Sequence, residues 1–84
     1  MSTMRAKLRV SYIKEHEYDG KKQGEKLSFH AVCASKYPED GSDENNTYAK
    51  FSPSANFEIH VANPALFDKF KVGEEYYVDF TKAE

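Results

Sequence analysis

The opening segment MRAKLRVSY decides the class of fold. Met4, Ala6, Leu8, Val10 and Tyr12 alternate with Arg5, Lys7, Arg9 and Ser11. A period of two is what a strand with one buried face and one wet face requires. Ile13 follows Tyr12 directly and breaks the phase, which predicts a bulge or a twist there. Asp19-Gly20 and Gly24 then form a turn region around a hairpin-type dipeptide. Beyond it, KLSFHAVCA puts Leu27, Phe29, Ala31 and Cys33 on one side and Ser28, His30, Val32 and Ala34 on the other. The two segments are expected to pair antiparallel.

Further along, TYAKF reads as a strand with Phe51 as its inward anchor, and NFEIHVA alternates Phe57, Ile59 and Val61 with Asn56, Glu58 and His60. Ser52-Pro53-Ser54 between them is a tight connection, because proline fixes φ and donates no ladder hydrogen bond. Asn63-Pro64 signals a helix start, with Asn as cap and Pro at the first position. PALFDKF supplies one or two turns, Lys71-Val72-Gly73 stops them, and EYYVDF closes the chain as a strand with Tyr76, Val78 and Phe80 on one face.

These elements predict a mainly β domain spanning residues 1–84. Its architecture is a five-stranded antiparallel curled sheet or a partly open barrel, OB-like or SH3-like in outline, with one short helix before the last strand. Six Phe and six Tyr give a chain of 84 residues enough large apolar side chains to fold, although 31% of its residues are charged. The formal net charge of −2 excludes a global field that would draw the chain to phosphate. The single cysteine, Cys33, permits no internal disulfide, fits a core position and implies a reducing compartment. MSTMRAKLRV alternates where an export signal would run continuously apolar, and no stretch is long enough to span a bilayer.

Three groups of residues are candidate sites. The stretch YPEDGSDENN, residues 37–46, carries Glu39, Asp40, Asp43 and Glu44. Both EF-hand registers fail there for want of the turn glycine and the final glutamate, so the acids read as a surface for a basic protein or as a solvated connection. Arg5, Lys7 and Arg9 form a basic stripe that could follow single-stranded nucleic acid, with tyrosines to stack on bases. His30, His60 and Glu58 share outward positions and are a second set to consider for a metal beside the acidic loop, but they lack the close ligand spacing of a metal motif, so no metal and no cofactor are expected. No phosphate-binding glycine loop or nucleophile elbow occurs, and Glu74-Glu75 point to opposite faces of a strand, so no enzymatic activity is expected.

The combination YPEDGSDENNTYAKFSPSA and NPALFDKFKVGEEYYVDF resembles a group of small proteins encoded by tailed bacteriophages. That resemblance implies synthesis inside an infected bacterial cell, with the product staying in the cytoplasm or entering the virion. The expected function is protein–protein interaction, as an inhibitor or modulator of a host protein or as a small virion component. The contact surfaces would be the acidic loop and the aromatic C-terminal strand, no membrane is involved, and an edge strand offers a route to a homodimer. The alternative is single-stranded nucleic-acid binding through an OB-like face bearing Arg5, Lys7 and Arg9.

Overall fold

The computed structural model describes residues 3–84. Met1 and Ser2, part of the N-terminal stretch read for an export signal, lie outside the described residues. Among the described residues four strands form one open antiparallel sheet: β1 (Met4–Tyr18), β2 (Lys21–Ala31), β3 (Asn56–Val61) and β4 (Glu75–Phe80). Their order across the sheet is β3-β2-β1-β4, the arrangement of a Greek key, in which the last strand returns by a long connection to lie beside the first. The β1–β2 hairpin is the centre of the sheet. Its turn is Asp19-Gly20, with φ of 55° and 74°, the two left-handed residues that a two-residue hairpin loop demands.

The break in alternation at Ile13 is a bulge. Val10 pairs with Phe29 and Tyr12 with Ser28, so Ser11 is the extra residue. The bulge returns Ile13 to the apolar face, opposite Leu27, and turns Tyr12 outward, where it is 57% exposed. Ala6, Leu8, Val10, Leu27 and Phe29 are the buried core, with Phe57, Val61, Phe70, Tyr76 and Val78 packed around them.

The predicted strand and helix counts need correction. TYAKF is not a strand: Ala49 N–H turns back to the Asn46 carbonyl, and Phe51 stands at φ 61° and is 52% exposed. It covers Gly41, where a Cβ would overlap its ring, so the intended inward anchor packs on its own loop instead. The helix is a single 3₁₀ turn, Pro64–Leu66. Asn63 caps it as expected through the amide of Ala65, but Phe67 is extended and Asp68 has φ 62°, which ends any helical ladder. Cys33 is exposed, because β2 ends at Ala31 and the chain leaves the ladder before reaching it.

The expected barrel does not close either. β3 and β4 lie at opposite edges of the sheet, so connection 62–74 has to cross the apolar face to join them. It is held down at the distal end of the hairpin. Asp68 N–H donates to the buried carboxylate of Glu25 at 2.9 Å, and Lys22 Nζ lies 3.1 Å from Glu15, 3.0 Å from Asp68 and 3.7 Å from Glu25. Burial works against the charge on Lys22, but the bonds to Asp68 and Glu15 outweigh it and hold the ammonium above its ordinary pKa.

One strap does not make a second layer. The molecule measures 55 × 33 × 16 Å and has a radius of gyration of 15.4 Å, against about 12 Å for a compact chain of this length. Its accessible surface is 6375 Å², whereas a compact monomer of this mass exposes about 5,100 Å².

The bulge makes a sharp prediction about deletions. Removing Ser11 restores uninterrupted alternation from Val10 to Ile13 without moving the β1–β4 ladder, which runs from Met4 to Arg9. That variant is expected to stay folded, with near-native amide spectra for β4. Deleting Arg9 instead uses up the bulge at the wrong place, turning the buried Val10 to the polar face and bringing Ser11 into its place in the core; that variant is expected to unfold at a clearly lower urea concentration than the Ser11 deletion.

Candidate functional site

Where β2 ends, the inner edge of β1 still has backbone groups to satisfy at Arg5 and Lys7. The acidic stretch satisfies them. Lys7 N–H donates to Asn46 Oδ1 at 2.8 Å, and Arg5 N–H donates to Thr47 Oγ1 at 2.8 Å. Thr47 N–H returns to the Arg5 carbonyl, and Asn46 Nδ2 donates to the Val32 carbonyl, each at 2.9 Å. Asn46 is fully buried, and its carboxamide stands in for a strand backbone.

Asp43 organises this arrangement from within the loop. Its carboxylate accepts from Asn45 N–H at 2.9 Å, Asn46 N–H at 3.1 Å and Asn46 Nδ2 at 3.2 Å, and the residue is buried. Three donors already use the oxygens that a cation would need. Asp40 makes the shorter turn: Ser42 N–H bonds its carboxylate at 3.0 Å and holds its pKa below the ordinary range. Of the four acids singled out by sequence, Asp43 is structural, and Glu39, Asp40 and Glu44 face solvent. The aspartate three residues before a buried asparagine is an Asx-type turn signal, and it was the one local clue to this role.

The basic stripe lies on the polar face of β1, directly opposite β4. Arg5 pairs with Asp79, Lys7 with Tyr77 and Arg9 with Glu75. The Arg5 guanidinium grips Asp79 through two bonds, 2.7 and 3.1 Å, and sits 4.7 Å above the Tyr77 ring. Arg9 bonds Glu75 through Nε and Nη2, and Lys7 Nζ approaches the same carboxylate at 3.6 Å. The bond from Arg5 holds the Asp79 carboxyl below its ordinary pKa, and the bond from Arg9 does the same for Glu75. Each cation of the stripe has an anion beside it.

The two strand histidines stand apart. His30 lies opposite Asn56 and His60 opposite Lys26, so the two are four positions apart along neighbouring strands. His60 packs against His16 with the rings tilted by 44° and their centroids 5.1 Å apart, across Gly24, where a Cβ would overlap its Nε2. Among the described residues, three acids converge only at Glu15, Glu25 and Asp68, and Lys22 is the cation already bound among them.

The acidic loop and the C-terminal strand meet. Tyr77 OH donates to Asn45 Oδ1 at 3.0 Å, joining the outer face of β4 to the loop. Next to this junction the loop folds around a cleft of about 390 Å³ lined by Tyr37, Pro38, Ser42, Asp43, Glu44 and Asn45 among others. On the opposite face of the sheet, beside the crossing strap, an apolar groove of about 300 Å³ runs along Leu27, Phe57, Ile59, Leu66, Phe70 and Val78. No helix among the described residues is long and apolar enough to cross a membrane.

Two predictions follow from these bonds. Asn46→Ala leaves the amide of Lys7 and the carbonyl of Val32 without partners, and urea denaturation is expected to show a loss of about 2–4 kcal/mol. The Asp79 and Glu75 carboxyls, monitored by NMR, are expected to titrate below the ordinary 3.8 and 4.5. Since folding depresses both values, their stabilisation is present above the unfolded-state pKa and is lost as pH falls through the folded one. Asp79→Asn is expected to flatten that acid limb.

Comparison of the chain with protein-family models, with curated proteins and with solved structures finds no match.

Proposed function

We propose that this protein works by binding another protein and carries out no catalysis, in the setting of a bacteriophage-infected cell or a virion. The observation that carries the reading is the Tyr77–Asn45 hydrogen bond. It joins the two surfaces that the sequence singles out, the acidic loop and the aromatic last strand, into one. Tyr77 is 52% exposed at the centre of this surface, with Glu44 on the loop side and the Asp79 and Glu75 ion pairs on the strand side. A half-exposed tyrosine ringed by charge is the composition of a recognition surface, in which an aromatic anchor supplies area and the surrounding polar groups supply orientation. The exposed acids Glu39, Asp40 and Glu44 favour a partner with a basic contact patch.

The ion pairs weigh against the alternative. A phosphate backbone following Arg5, Lys7 and Arg9 would first have to displace Asp79 and Glu75. Fluorescence anisotropy with single-stranded oligonucleotides at low salt is therefore expected to show no binding; saturable binding weakened by Arg5→Ala would favour the nucleic-acid reading instead.

The protein reading is tested by capture from phage-infected cells with nuclease present. The expected result is a basic protein whose association weakens as salt is raised and is lost in both Tyr77→Ala and the combined change Glu39→Gln, Asp40→Asn and Glu44→Gln, in which Asn keeps the acceptor that Ser42 N–H uses. Asp43 is kept in that variant because the loop depends on it. A captured partner indifferent to both variants would refute this surface.

A further inference from the structure

We propose that the chain pairs with a second copy of itself along β3, in an antiparallel two-fold register centred on Ile59. The inference is independent of the surface proposed above, which lies at the opposite edge of the sheet.

The geometry of the free edge sets the register. Ala31 N–H bonds the Ala55 carbonyl, and the β2–β3 ladder continues from there through Phe29↔Phe57 and Leu27↔Ile59. In an antiparallel ladder the bonded pairs alternate, so Phe57, Ile59 and Val61 direct their backbone groups at β2, and Asn56, Glu58 and His60 direct theirs outward. A second β3 centred on Ile59 therefore meets these free groups with its own: Glu58 pairs with His60 of the second copy, and His60 with its Glu58.

The side chains agree with that register on both faces. On the polar face a carboxylate stands opposite an imidazole, twice, while each Glu58 keeps its contact with Lys26 at 3.5 Å. On the apolar face Ile59, which is 46% exposed, meets its twin in a narrow pair, and Phe57 meets Val61. The apolar groove beside the strap takes in Phe57, Ile59 and Val61 of this strand, so the contact covers the end of the groove that lies on β3. The other free edge lacks this match when it is paired about its own central outward residue, Tyr77. β4 paired about Tyr77 would set Glu75 against Asp79, with like charges directly opposed.

The surface of the chain has room for such a contact. Its exposed area exceeds that of a compact monomer by roughly 1,300 Å², and a stable interface takes about 800 Å² from each partner. An edge strand without proline, bulge or inward charge is also unprotected against pairing.

Sedimentation velocity of the full chain over a concentration series tests the proposal. The expected species is a dimer. Glu58→Pro removes an outward donor that the β2–β3 ladder does not use, and is expected to give a monomer with the circular dichroism of the parent. Glu58→Lys is expected to weaken the dimer at least 10-fold, and Glu58→Lys with His60→Glu to restore it, because the exchanged charges face each other again in this register. A parent chain that stays monomeric to about 1 mM overturns the proposal, as does a dimer untouched by Glu58→Pro and Glu58→Lys. Weakening without restoration by the exchange overturns the register.

Discussion

The sheet depends on one carboxamide. β1 is longer than either neighbour, and where β2 departs after Ala31 the inner edge of β1 would be left bare at the Lys7 amide and at Arg5. Asn46 supplies both an acceptor and a donor there, and Thr47 repeats the pattern one step on. A backbone group buried without a partner costs about as much as a hydrogen bond to water is worth. The long connection between β2 and β3 is therefore part of the sheet, its acidic residues divided between those that shape it and those that face outward.

A second constraint follows from topology. With β3 and β4 at opposite edges, only a strap can lie over the apolar face, and the strap is tethered by the Lys22 knot at one end of the hairpin. Such a small core leaves a thin molecule with apolar grooves beside the strap and edges on both sides. Surface of this kind is common where a chain completes its packing with a partner. In this protein the two edges differ in chemistry, one guarded by acids and the other matched to its own reverse.

Much of this architecture is legible in the residues. The period-two segments, the Asp19-Gly20 turn, the phase break at Ile13 and the Asn63 cap all act through local backbone preference, so they appear where the sequence places them. What was not legible depended on distant partners. Asp43 marks a local turn, but the burial of Asn46 rests on Lys7 and Val32, 39 and 14 residues away. TYAKF has strand composition, yet its residues serve turns and the cover over Gly41. The basic stripe reads as free charge until β4 is laid beside it, and its neutralisation rests on a pairing between opposite ends of the chain.

The alternation in β1 has a consequence for how the protein answers its solvent. The same backbone carries Arg5, Lys7 and Arg9 on one face and Ala6, Leu8 and Val10 on the other. Simple salts screen exposed ion pairs, whereas sulfate and similar excluded salts strengthen apolar burial. The two sides of one strand therefore pull in opposite directions along an ionic series. Either salt screens the ion pairs between β1 and β4 and leaves their backbone ladder in place, while sulfate also tightens the core and favours covering the bare grooves.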